Sequence, residues 1–153
     1  MKKIIILLLF LITSCGYQPL YQIDGDKNNF KFQEIEFIGD KNLSKKIFLN
    51  LPIEINKTNK LLKKIILYSN KEIIEASKNS KGQVNIYRTS ISIKLSIIDD
   101  DNNIVKEKTL TKDFSYNVKE NKFKFKEFQN EVENNLIKKI IEDLIIYLNL
   151  KFL

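Results

Sequence analysis

The chain of 153 residues contains no histidine, no tryptophan and a single cysteine, Cys15. Without histidine, neither a Ser-His-Asp triad nor a Cys-His nucleophile pair can form, and the usual zinc ligand sets are missing. The four glycines form no Gly-rich phosphate loop of the Walker or dinucleotide type. Carboxylate-pair and Ser-Lys chemistry stay formally open, but no spacing singles them out. The sequence therefore favours a binding or structural protein over an enzyme, and it predicts no cofactor and no bound metal.

A disulfide within the chain is excluded, and long apolar runs and arginine are scarce. A lone cysteine cannot form a disulfide within the chain. The one long apolar run, residues 4–12, is too short to span a bilayer, which takes about 20 residues. Arg88 is the single arginine among 26 basic residues. Specific phosphate and base readout usually relies on arginine forks, and the predicted export argues further against nucleic acid as a partner.

Lysine gives the chain a formal net charge of +7, and loss of Lys2 and Lys3 with the signal peptide would leave +5. Such an excess suits an anionic lipid surface or a phosphorylated saccharide. It equally suits plain solubility in a composition rich in lysine, asparagine and isoleucine.

The first sixteen residues carry the pattern of an export signal. Lys2 and Lys3 form a positive n-region, and residues 4–12 form an apolar h-region. The sequence Ile-Thr-Ser-Cys at residues 12–15 is similar to the bacterial lipobox, in which two small residues precede a cysteine. An ordinary secretory signal with a chance cysteine, or a buried N-terminal helix, is the alternative.

The lipobox resemblance implies cleavage between Ser14 and Cys15 and attachment of acyl chains such as palmitate to Cys15. Because one chain holds only marginally and mature lipoproteins of this class carry more than one, the anchor should be stable. Gly16 follows the cysteine where aspartate would favour the inner membrane, so the sorting scheme of this class favours the outer membrane. Lipidation would also remove an unpaired thiol from an oxidising compartment.

Composition divides the chain into three segments. Residues 1–14 are predicted as the lipoprotein signal peptide, residues 15–29 as a lipidated tether, and residues 30–153 as one α+β domain. The tether is rich in turn formers, while 43% hydrophobic residues are enough for a core in the remainder.

The domain begins with a predicted strand and a short helix. Residues 33–38 alternate in polarity, as in a strand with one buried face. Asp40 is a plausible N-cap. Leu43, Ile47 and Leu51 recur at four-residue spacing, which predicts an amphipathic helix that ends near a proline.

Three strands follow in the prediction. Residues 61–77 are apolar on both parities, so periodicity alone does not exclude a helix. A strand is favoured because the segment that follows is a clearer strand. A turn is predicted at residues 78–82. Residues 87–97 alternate strictly and give the clearest strand. The turn at residues 99–103 contains three aspartates, but it lacks the spacing of a calcium loop, and residues 104–118 are the return strand.

Apolar residues that step by three or four from Phe125 to Leu148 predict a long final helix. Its apolar stripe is wide enough to cover a sheet. The stripe broadens over residues 140–148, where either deep core or a partner-facing patch would fit. The predicted fold is a two-layer α+β sandwich, with a mainly antiparallel sheet of about four strands and a short and a long helix on one face. The sheet face left uncovered carries Arg88, Ser90, Ser92, Lys94 and Ser96.

Several motifs taken in order resemble one known family. They are Cys15-Gly16-Tyr17-Gln18-Pro19-Leu20-Tyr21 at the mature start, Tyr87-Arg88 within the alternating strand, and Ser115-Tyr116-Asn117-Val118 at the end of the next. With the strand and helix order, they make the chain similar to the lipopolysaccharide-assembly lipoprotein LptE family in its alphaproteobacterial-type form. The composition departs from that family, being rich in isoleucine, lysine and asparagine where alanine, arginine and leucine are usual.

The resemblance implies a non-catalytic lipoprotein at the periplasmic face of the outer membrane. It would insert into, or plug, the lumen of its partner, the β-barrel LptD, and would assist the assembly of that barrel. The pair would deliver lipopolysaccharide to the outer leaflet. Lysines would contact the anionic lipopolysaccharide, and the candidates are Lys78, Lys81, Arg88 and Lys94. Their alternative reading is solvated surface charge. A different outer-membrane lipoprotein, acting as an assembly accessory or pilot for another envelope complex, is the alternative function.

Overall fold

A computed structural model describes residues 30–152 of the chain, which form six strands and two helices. The elements are β1 (Phe30–Phe32), β2 (Ile35–Gly39), α1 (Lys41–Phe48), β3 (Ile53–Ile55), β4 (Lys64–Lys78), β5 (Val84–Ile98), β6 (Ile104–Asn117) and α2 (Lys122–Phe152). The predicted signal peptide, its cleavage site at Ser14 and Cys15, and the predicted tether lie outside the described residues.

The main sheet has four strands in the order β2-β4-β5-β6. β4, β5 and β6 form an antiparallel meander, and β2 lies parallel to β4 at the other edge. Both helices pack on the same side of this sheet, where one apolar core forms. The predicted two-layer sandwich with a mainly antiparallel sheet is confirmed. We call the side that faces the helices the inner face and the opposite side the outer face.

The alternation along β5 produces the centre of the core. Ile91, Ile93, Leu95 and Ile97 are all fully buried on the inner face. Because successive side chains of a strand point to opposite faces, the residues between them lie on the outer face. The strand that was clearest in the sequence is thus one of the two central strands of the sheet.

The short helix α1 begins as the sequence predicts. The Asp40 side chain caps it by accepting the backbone N–H of Leu43 at 3.0 Å. Leu43, Ile47 and Leu51 are buried against the core. Gly39, directly before the cap, has φ of 77°, a conformation that glycine adopts without strain.

The broad apolar stripe of α2 is core. Ile140, Leu144 and Leu148 are each fully buried, while Ile141 and Ile145 are partly buried and packed against the same cluster. Of the two alternatives for residues 140–148, the structure supports deep core.

Two features differ from the sequence prediction in detail. β4 begins at Lys64. Its even-numbered apolar residues lie on the outer face, where Tyr68 is 40% and Ile74 47% exposed. The three-residue strands β1 and β3, which pair in parallel beside the main sheet, were not predicted. Runs that short carry no periodicity from which a strand could be recognised.

Candidate functional surface

The outer face of the sheet is polar along β5 and β6. Arg88 and Lys94 are both about half exposed, and the serines between them alternate with the buried isoleucines. No helix in residues 30–152 covers this face, as the sequence predicted. Antiparallel sheets commonly leave one face to solvent, so this face is available to a partner without any rearrangement of the domain.

Both outer-face cations have partners on β6. The Lys94 ammonium lies 3.0 Å from a carboxylate oxygen of Glu107. The Arg88 Nε donates to Ser115 Oγ at 3.1 Å and lies 3.8 Å from a carboxylate oxygen of Asp113. An anionic ligand would have to compete with these carboxylates, so neither cation is an uncommitted anion site.

The other two predicted contact residues lie at one end of the sheet. We call the end that holds the β4–β5 turn, residues 79–83, the hairpin end. Lys78 ends β4 and pairs with Glu75 at 3.1 Å. Lys81 lies in the turn and makes no ion pair within the described part of the chain. Lys81 is therefore the most available of the four candidates.

The turn that presents Lys81 is built by Asn79. Its side-chain oxygen accepts the backbone N–H groups of Lys81 and Gln83, each at 3.0 Å. Gly82 takes φ of 75° with nothing near the position of an added Cβ. Asparagine turns of this kind fix a short loop locally, so the position of Lys81 depends on neither helix.

The hairpin end also carries exposed apolar side chains that the sequence analysis missed. Phe123 is 81% exposed near the start of α2, and Val118, Ile73 and Ile74 are each more than 40% exposed. Val118 belongs to this end because its backbone N–H donates to Asn85 at 3.0 Å. The alternation of lysine and phenylalanine over residues 122–126 was the signal, since only Phe125 of that run packs inward.

The structure divides the four candidates into two locations. Lys78 and Lys81 lie together at the hairpin end, whereas Lys94 is six residues along β5 from Arg88, roughly 20 Å at about 3.3 Å per residue. A single small anion cannot reach all four. A large amphiphile that covers the hairpin end could touch Lys78, Lys81 and the exposed apolar side chains together.

An aromatic cluster fixes the start of α2 on the sheet at this end. Tyr116 is 5% exposed, and its hydroxyl lies 2.8 Å from Thr89 Oγ1 and accepts from Gln129 Nε2 at 3.2 Å. Its ring lies 6.0 Å from that of Phe125 and 5.7 Å from that of Phe128. The tyrosine of the Ser-Tyr-Asn-Val motif is therefore an anchor between sheet and helix, which positions the exposed residues around it.

Within residues 30–152 there is no group of three or more histidine, cysteine, aspartate or glutamate residues that could hold a metal ion. No helix in that range has the length and apolar character needed to cross a membrane.

The fold is similar to that of several solved bacterial proteins, lipoproteins among them. Rare lipoprotein B from Shewanella oneidensis superposes with a TM-score of 0.55 at 8% identity, covering 76% of this chain and 93% of that one. A minor lipoprotein from Acinetobacter baumannii gives 0.53 at 13% identity, covering 76% and 88%. A neuraminyllactose-binding hemagglutinin homolog from Helicobacter pylori gives 0.57 at 16% identity, covering 86% and 89%. At these identities the likeness is one of fold. No protein-family model matches the sequence, and neither does any curated protein.

Proposed function

We propose that this protein is an outer-membrane lipoprotein of the LptE type, anchored through lipids on Cys15. Its role would be to partner the LptD β-barrel in assembly and in delivery of lipopolysaccharide to the outer leaflet, without catalysing a reaction. One observation carries the proposal: a chain that opens with a lipobox-like signal has the fold of solved bacterial lipoproteins.

The polar outer face supports a place inside a barrel. A barrel wide enough to enclose a domain has a polar interior wall. Serines and paired charges on β5 and β6, such as Lys94 with Glu107, match such a wall because they need no desolvated apolar contact. The apolar core is on the other side of the sheet, under the helices, so the domain keeps it intact when the outer face is covered.

The hairpin end is where we place contact with lipopolysaccharide. Its lipid A part carries phosphates and acyl chains, which require cations next to apolar surface. Lys81 and Lys78 supply the charge, and Phe123 and Val118 supply exposed apolar area at the same end. Arg88 lies four residues along β5 from the turn, roughly 13 Å, and has its own partners on β6, so Arg88 and Lys94 would both act separately from this group.

Depletion in the native host tests the proposed role. Loss of the protein should lower both the amount of folded LptD barrel and the lipopolysaccharide at the cell surface, measured by heat-modifiable migration and by surface labelling. If depleted cells keep both at normal levels, the LptE role is wrong.

Paired lysine variants test the contact site. Lys78→Ala with Lys81→Ala should weaken binding of purified protein to lipopolysaccharide while leaving barrel association intact. Lys57→Ala with Lys60→Ala removes the same charge from the loop before β4, at the opposite end of the sheet, and serves as the control. If both double variants lose the same affinity for lipopolysaccharide, the effect comes from net charge alone, and the hairpin end is not a specific contact site.

The anchor is tested at Cys15. The Cys15→Ala variant should accumulate as an uncleaved precursor in the inner membrane, detected by fractionation and by mass spectrometry of the N-terminus. Normal maturation of this variant would contradict the lipoprotein assignment.

A second function is an accessory or pilot lipoprotein for another envelope complex. The likeness to a hemagglutinin homolog, at a TM-score of 0.57, favours keeping it, because it indicates that the fold serves proteins with other descriptions. Affinity purification from detergent-solubilised envelopes separates the two. A stable complex with LptD supports the first function, and one with a different barrel or secretion component supports the second.

A further inference from the structure

β6 is an edge strand of the main sheet, and no described element pairs with its far side. Val118, which lies opposite Asn85 in the continued register, donates its N–H to the Asn85 carbonyl at 3.0 Å. Residues in antiparallel strands alternate between bonded and non-bonded pairs, so the even-numbered residues of β6 bond to β5. The odd-numbered residues direct their backbone N–H and C=O groups to the open edge. They include Thr109, Thr111, Asp113 and Ser115.

A side-chain contact agrees with this orientation. The Tyr147 hydroxyl donates to the backbone carbonyl of Glu107, an odd-numbered residue, at 3.4 Å. No other described element donates to or accepts from the backbone groups of the odd-numbered residues from Thr109 to Ser115. The open stretch therefore covers about half of the strand.

Two of the usual protections of an edge strand, proline and bulges, are missing from this stretch. The sole register shift between β5 and β6 is at Ile97/Ile98, and β6 contains no proline. A third protection, charged side chains, is present, but these charges already have partners. Lys112 pairs with Asp143 of α2 at 2.7 Å, and Asp113 lies 3.8 Å from Arg88.

A groove lies directly beside the open stretch, between β6 and α2. Its volume is about 410 Å³, and its apolar lining includes Phe114, Phe128, Val132 and Leu136. Phe114 is 49% exposed and belongs to the open stretch itself. A strand added along β6 would place every second side chain over this groove, which is the arrangement by which added strands are recognised.

We propose that this edge accepts an extended, mainly apolar segment of a partner protein as an added strand, with alternate apolar side chains in the groove. Two lysines, Lys138 and Lys139, line the groove. Two glutamates, Glu131 and Glu142, line it as well, so the charges balance and favour a segment whose contacts are mainly apolar. This proposal goes beyond the lipoprotein function and requires neither the lipid anchor nor a barrel partner.

A second copy of this chain fits the edge less well. Each copy carries a formal net charge of +7, and a net charge far from zero favours monomers.

Peptide selection on the full chain in detergent tests the proposal. The probe is a displayed library of random eight-residue peptides, and selected peptides are measured by fluorescence anisotropy. We expect them to alternate apolar residues with other residues, without enrichment in charge of either sign. A library that yields no peptide above background overturns the proposal.

Two substitutions at one position separate the strand edge from the side chain. Thr111→Pro removes an N–H that β5 does not use, and proline is tolerated at such edge positions. Thr111→Ala removes the same side chain, including its hydrogen bond to Ser92 at 3.2 Å, but keeps the N–H. Peptide affinity should fall at least roughly tenfold in the proline variant and stay within about twofold in the alanine variant. Equal affinity for both variants overturns the proposal.

Peptide methylation gives the same answer without changing the protein. In an added strand, alternate peptide N–H groups face β6 and the others face solvent. N-methylation of one alternate set should abolish binding, and methylation of the other set should not. If both sets bind alike, or if the chain forms a dimer that Thr111→Pro dissolves, the edge does not accept a partner strand as proposed.

Discussion

Ser92 and Ile93 are neighbours on β5, yet one is partly exposed on the outer face and the other is fully buried on the inner face. The side chains of the inner face must pack in one arrangement, because α1 and α2 cover it with complementary apolar surfaces. The polar side chains of the outer face can take many arrangements, since they form hydrogen bonds with water or with each other. The same strands therefore provide the stability of the fold through their inner face and a surface that partners can reach through their outer face.

The largest loss of stability is expected when the helix α2, which covers the inner face, is disrupted. Leu136 lies within α2 and is 4% exposed. In Leu136→Pro the ring removes a helix hydrogen bond and clashes with the preceding turn, which costs about 3 kcal/mol or more before lost packing is added. We expect loss of the cooperative unfolding transition in circular dichroism. The control Leu136→Met, which conserves the side-chain volume, should lower the free energy of unfolding by less than about 1.5 kcal/mol. An unchanged melting temperature for Leu136→Pro would mean that α2 does not pack as described.

Alanine at each of the two neighbours compares the faces directly. Ile93→Ala should lower the free energy of unfolding by about 2–5 kcal/mol, because it leaves a cavity in a fully buried site. Ser92→Ala should change it by no more than about 0.5 kcal/mol. Urea denaturation of both variants measures the difference. Similar values for the two would show that the outer face is covered in the free protein.

Glycine substitutions sharpen the comparison at the backbone. Gly39 and Gly82 both have φ near 75°, so alanine at either is strained by about 1–2 kcal/mol. An added Cβ at Gly39 would lie 2.1 Å from the Ser69 carbonyl oxygen, whereas nothing lies within 4 Å at Gly82. Thermal unfolding should therefore show a clearly larger loss for Gly39→Ala. If Gly82→Ala proves equally destabilising, the short distance from Gly39 to the Ser69 carbonyl does not contribute to the loss of stability.

Ion pairs should give the smallest effects. Lys112 and Asp143 join the inner face to α2 at 2.7 Å, and Lys94 and Glu107 join two strands on the outer face at 3.0 Å. All four side chains are more than a third exposed, so each coupling energy should be no more than about 1 kcal/mol in a double-mutant cycle. A coupling well above that range would indicate a pair shielded from solvent.

Most of the fold could be predicted because its main elements are long and periodic. β5 spans 15 residues of near-strict alternation, and α2 carries an apolar stripe along most of its 31 residues. The cap at Asp40 was predictable for a different reason, since capping needs only one side chain and the next turn of helix. In each case the signal is local to the chain.

The parts that could not be predicted depend on contacts distant in sequence. Ser44 and Ser69 are fully buried, with their hydroxyl oxygens 2.7 Å apart, and Ser69 also donates to the Asp40 carbonyl at 2.6 Å. Nothing in the sequence around either serine indicates this network. The same holds for the candidate site: its basic residues were visible, but the pairing of Arg88 and Lys94 with carboxylates on β6 depends on the register between strands. Lys81 was no more prominent in the sequence than Lys94.

The position of α2 in the order of elements has a consequence for folding. Ile140, Leu144 and Leu148 are fully buried, yet they follow all four strands of the main sheet in the chain. Until they pack, the isoleucine-rich side of β5 and β6 is exposed to chaperones and proteases. Chains truncated before residue 140 should therefore be degraded rapidly, whereas chains that contain all of α2 should resist.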